Sequence, residues 1–63
     1  MRINVTTAYA DGKKQVEIFG KSSETKPTTG IAFGSVFVEV DTGKVFFFNE
    51  TSSTWVEQFS FQG

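Results

Sequence analysis

The sequence predicts an all-β domain, and its composition and turn sequences support this prediction. The 63 residues include no leucine, a strong helix former, but seven valines, eight threonines and eight phenylalanines, which suit a pleated, half-buried surface. Segments of alternating polarity are separated by Asp-Gly and Asp-Thr-Gly, which are typical of hairpin turns. We expect one domain, residues 1–63, with about five antiparallel strands in a small barrel or sandwich.

The N-terminal third predicts a β-hairpin followed by a loop. Alternation predicts a strand over Arg2–Tyr9, and the Asp-Gly pair within Ala10–Lys13 predicts a turn into a second strand, Lys14–Phe19. The next segment, Gly20–Gly30, contains the only proline and no large apolar residue. We therefore expect a polar crossover loop at 20–30, which either connects two parts of the fold or reaches a partner.

The C-terminal half predicts a three-stranded antiparallel meander. Its strands are expected at Ser35–Val40, Lys44–Asn49 and Thr54–Phe61, the last with its aromatic side chains on one side. Two short turns, Asp41–Gly43 and Glu50–Ser53, separate them.

The register of the first meander hairpin determines which aromatic side chains share a face. A type I turn with Gly43 in the left-handed position would pair Val36 with Phe48 and Phe37 with Phe47. A two-residue turn would shift this register by one. In either case both faces of the hairpin are apolar near its middle, and a single chain can cover only one of them.

Composition and charge exclude several functional classes. Six basic and seven acidic residues give a net charge of −1, which argues against an electrostatic nucleic-acid or membrane binder. The absence of cysteine and histidine removes disulfides, most zinc sites and Ser-His or Cys-His catalysis. The carboxylates are scattered along the chain and form no catalytic set. We therefore expect no enzyme activity, no cofactor and no metal.

The aromatic residues of the C-terminal half are the strongest functional feature. A chain of 63 residues has a small core, so it is not expected to bury all of them. We expect a partner interface that draws on five of these residues: Phe37, Phe47, Trp55, Phe59 and Phe61. An alternative is a glycan- or ligand-binding module centred on Trp55.

One stretch of the sequence resembles a known class of proteins. Ile31–Phe48, with its Asp-Thr-Gly-Lys turn and aromatic run, is followed by Asn49-Glu50 and Thr54-Trp55-Val56. This pattern is similar to short phage and prophage proteins of the head-fibre, capsid-decoration or connector-accessory type. The resemblance implies a structural component of a virion, present in the host cytoplasm before assembly, that contacts itself or capsid proteins. A phage-encoded inhibitor of a host protein is a further alternative.

Overall fold

The computed structural model describes residues 1–61, which form five β-strands and no helix. The strands are β1 (Arg2–Ala8), β2 (Lys14–Gly20), β3 (Val36–Glu39), β4 (Lys44–Asn49) and β5 (Thr54–Ser60). Their order in the single sheet is the order in the chain, β1-β2-β3-β4-β5. The all-β prediction is confirmed, and each predicted strand end lies within one residue of the observed end.

The arrangement of the strands differs from the predicted one in two respects. The five strands form one open sheet, so the expected barrel or sandwich is wrong. The β2–β3 pair is parallel, with Glu17 opposite Val36 and Phe19 opposite Val38, whereas the other three pairs are antiparallel. A parallel pair needs a crossover of about a dozen residues or more. The segment between Gly20 and Val36 is long enough to return to the start of β2.

The crossover first rejoins the sheet at Ile31, five residues before the start of β3. Ile31 forms a parallel bridge with Lys14, and the chain then turns at Gly34, whose φ is 89°. The hydroxyl of Ser35, which is 0% exposed, accepts the N–H of Val16 at 3.0 Å. A side-chain oxygen thus replaces the backbone carbonyl that a regular ladder would supply, and the β2 donor stays paired.

The hydrophobic core lies on one side of the sheet, which we call the core face. Its buried side chains are Val16, Ile18, Phe37 and Phe48 from the strands and Ile31 from the crossover. Trp55 packs edge-on against two of them, with ring centroids 5.0 Å from Phe48 and 5.8 Å from Phe37. The crossover packs on this face, where the indole N–H of Trp55 donates to the carbonyl of Pro27 at 2.8 Å, but it leaves Ile3 and Val5 of β1, on the same side, 49% and 55% exposed.

The β3–β4 turn is longer than either predicted form. Four residues, 40–43, connect β3 to β4. The N–H of Gly43, which has a φ of 77°, donates to the carbonyl of Glu39 at 2.7 Å and closes this connection. The hydroxyl of Thr42 reinforces the turn by donating to the Glu39 carboxylate at 2.7 Å. The observed register pairs Phe37 with Phe46, so both predicted registers are wrong. Phe37 and Phe47 consequently lie on opposite faces of the sheet.

Candidate interaction surface

The second side of the sheet, which we call the open face, carries a continuous set of apolar side chains. The register places seven on it: Phe19, Val36, Val38, Val45, Phe47, Val56 and Phe59. Phe19 is 39% exposed, Phe47 45%, Val56 43% and Phe59 55%, whereas Val45 is only 7% exposed and Val36 and Val38 are half-buried. The exposure of the first four side chains shows that no part of residues 1–61 forms a second layer over this face.

The open face is organised in two rows that run across the strands. Cross-strand pairing aligns Arg2, Phe19, Val38, Val45 and Phe59 in the first, the Phe59 row. The second, the Phe47 row, consists of Asn4, Glu17, Val36, Phe47 and Val56. The Phe59 row is therefore charged on β1 and apolar from β2 to β5, whereas the Phe47 row is polar or charged on β1 and β2 and apolar from β3 to β5.

A bulge in β5 is what brings Phe59 to the open face. Simple alternation would place Val56 and Phe59, three residues apart, on opposite faces. The pairing shifts between Phe46, opposite Glu57, and Val45, opposite Phe59, so that one extra residue is accommodated in β5. Trp55 and Phe59 thus point to different sides, and the prediction of one aromatic side for this strand is wrong.

The structure separates the five residues expected at a partner interface. Phe47 and Phe59 lie on the open face, and Phe61, just after β5, is exposed. Phe37 is 0% exposed in the core, so its expected place at a partner interface is wrong. Trp55 is half-buried against the same core and donates its indole N–H to Pro27, so this N–H is not a free donor for a glycan.

Five residues of the open face were not among those predicted from the sequence for a partner interface. They are Phe19, Val36, Val38, Val45 and Val56. The alternation of Val36 and Val38 within β3 was a usable signal for two of them. Phe19 had no such signal, because it joins the face only through the parallel pairing of β2 with β3.

Two opposite charges lie on the open face without an ion-pair partner among residues 1–61. Arg2 is in the Phe59 row and Glu17 in the Phe47 row, on the adjacent strands β1 and β2. The four ion pairs of this part of the chain involve other groups: Met1 with Glu24, Lys13 with Glu50, Lys26 with Glu39, and Lys44 with Glu57. Arg2 and Glu17 therefore remain available to a partner.

On the core face, a buried ion pair fastens the crossover to the sheet. The ammonium of Lys26 lies 2.6 Å from the carboxylate of Glu39 and 4.4 Å and 4.7 Å from the ring centres of Phe46 and Phe37. Burial of Glu39 raises its pKa, but hydrogen bonds from Lys26 and Thr42 outweigh burial and hold that pKa below its ordinary value. The charges of Lys26 and Glu39 therefore stabilise the fold by holding the crossover against the sheet.

A small cleft of about 170 Å³ is lined by Tyr9, Asp11, Ala32, Phe33 and Glu50. The Glu50 carboxylate accepts hydrogen bonds from the ammonium of Lys13 and the N–H of Phe33. The bond from Lys13 is the main cause of the lowered pKa of Glu50. A carboxylate held ionised in this way is a poor general acid, and its lone pairs are largely used.

Residues 1–61 contain no group of three or more acidic, histidine or cysteine residues that could hold a metal ion. No helix in that range has the length and hydropathy to cross a membrane. No protein-family model, curated protein or solved structure matches this chain. The geometry of the open face is therefore the main guide to function.

Proposed function

We propose that this protein is a non-enzymatic interaction module, a structural subunit that works by packing its open face against protein. The observation that carries the proposal is the set of seven apolar side chains on a sheet face with no second layer. Sheets that are apolar on both sides are normally buried on both sides. Contiguous exposed apolar surface on a small protein is a common mark of a protein interface.

The resemblance to small phage proteins extends this proposal to a location. It favours a phage particle as the assembly, with capsid proteins or further copies of the chain as contacts, and the host cytoplasm as the site before assembly. The alternative of a host-protein inhibitor would use the same face. Location distinguishes the two, because an inhibitor has no reason to be packaged.

The test is incorporation into phage particles produced by cells that carry the gene. We expect quantitative mass spectrometry of purified particles to find the chain in a fixed ratio to the capsid protein. Val56→Lys, which puts a charge in the open face, should reduce that ratio at least about tenfold. Val5→Lys is the matched control, because Val5 is 55% exposed on β1 and pairs with Val16, which places it on the other side of the sheet.

Two results would count against this reading. Particles that lack the wild-type chain would refute the virion location. Equal incorporation of the Val56→Lys chain and the wild type would show that the open face is not the contact surface, and the proposal of an open-face module would fail.

A further inference from the structure

Resting on the proposed function, we infer that the open face is covered by a second copy of this chain. The two sheets pack face to face about a two-fold axis that runs across the strands, midway between the Phe59 row and the Phe47 row. The resulting dimer is a β-sandwich in which each chain supplies one layer, at the usual sheet separation of about 10 Å. The two apolar faces then close one shared core.

The sizes of the side chains favour this axis. A two-fold axis between the rows lays the Phe59 row of one copy on the Phe47 row of the other, strand over equivalent strand. Phe59 then faces the second copy's Val56, Val45 faces the second copy's Phe47, and two valines face each other over β3. Large side chains meet small ones on β4 and β5, which is the condition for interdigitation without voids or clashes.

The charges of the open face point to the same arrangement. Arg2 of one copy would lie one strand away from the second copy's Glu17, and the symmetry makes this contact twice. Neither group has an ion-pair partner among residues 1–61 of its own chain. The positive charge lies in one row and the negative charge in the other, so a two-fold axis between the rows brings opposite charges of the two copies together, as an isologous interface requires.

The area of the face is just sufficient for a dimer. Five strands about 4.8 Å apart and about 20 Å long give a face of about 500 Å². Two such faces bury about 1,000 Å² in total, near the lower limit of specific interfaces. We therefore expect a dimer with a dissociation constant in the micromolar range.

The first experiment is sedimentation equilibrium of the wild-type chain from about 5 to about 500 µM, a range chosen to bracket a micromolar dissociation constant. We expect the mass to rise from 7.0 kDa to twice that value. Val56→Lys should remain monomeric throughout, whereas Val5→Lys should dimerise like the wild type. Unfolding curves of both variants check that each is folded. A wild-type chain that stays monomeric to the highest concentration overturns the inference, as does a dimer that Val56→Lys leaves intact.

The second experiment uses the charges. The variants Arg2→Glu and Glu17→Arg should each dimerise more weakly than the wild type, because like charges meet twice in each homodimer. An equimolar mixture of the two should form the heterodimer in preference to both, since opposite charges then meet at both contacts. Native mass spectrometry distinguishes the three species. A statistical 1:2:1 mixture overturns the proposed axis, because a pair within one chain gives no heterodimer preference.

These outcomes separate the inference from the function on which it rests. If the chain is monomeric but is still packaged into particles, and Val56→Lys is excluded from them, the proposed interaction module stands and the proposed dimer fails. If the chain dimerises but is absent from particles, the dimer stands and the virion location fails.

Discussion

The substitution Ser35→Ala tests the parallel pairing of β2 with β3, the feature of the fold that the sequence did not reveal. Ser35 is fully buried, and its hydroxyl accepts the backbone N–H of Val16 at 3.0 Å. Alanine keeps the β-carbon as a methyl group and leaves that N–H buried without an acceptor. An unsatisfied buried donor costs about 1–3 kcal/mol. For a chain of this length the whole free energy of unfolding is about 3–9 kcal/mol, so the loss is a large share.

We expect Ser35→Ala to lower the free energy of unfolding by about 2 kcal/mol, which corresponds to a fall in Tm of about 8–16 °C. Unfolding in urea, followed by fluorescence of Trp55 in the core, measures the change. Ser23→Ala, at an exposed position in the crossover, is the control and should change stability by less than about 0.5 kcal/mol. A loss for Ser35→Ala as small as that of the control would refute the assigned ladder at Val16.

Three further predictions follow from the turn, the crossover and the buried ion pair. Gly34→Ala should destabilise the fold by about 1–2 kcal/mol, because Gly34 has a φ of 89°; thermal unfolding measures this, and an unchanged Tm would contradict it. Trp55→Phe removes the donor to the Pro27 carbonyl and should cost about 1 kcal/mol, with faster amide exchange in the crossover. The lowered pKa of Glu39 means that its ion pair stabilises the fold above the ordinary carboxyl pKa, and that this contribution is lost as pH falls through the lowered value. Lys26→Met should therefore reduce the urea midpoint more at pH 7 than in acid, where the ion pair of the wild type is itself lost; an equal reduction at both pH values would count against the ion pair.

Local chemistry made the strands predictable, and long-range pairing did not. Alternation, missing leucine and Asp-Gly turns act within a few residues, and they located every strand to within one residue. The same local signals favour hairpins, so they correctly predicted the antiparallel β1–β2 pair but led to the expectation that every strand is antiparallel. The parallel partner of β2 arises from a crossover held by Ser35 and Trp55, and these contacts join residues 19 and 28 positions apart.

The faces of the aromatic residues depended on details that alternation cannot supply. One extra residue in the β3–β4 turn turned Phe37 into the core and left Phe47 outside. One extra residue in β5 then moved Phe59 to the open face, away from Trp55. The expectation that aromatic side chains occupy both faces of the sheet did not depend on these details. It follows from the composition, because a chain of 63 residues with eight phenylalanines cannot bury them all in one core.

The most direct measurement of the central claim is an isotope-filtered NOE experiment on a 1:1 mixture of labelled and unlabelled chain. It detects only contacts between copies, at a concentration where the dimer is expected to be populated. We predict NOEs from the Phe59 ring to the second copy's Val56 methyl groups and from the Phe47 ring to the second copy's Val45. The absence of contacts between copies, or contacts confined to residues outside the open face, would contradict the account.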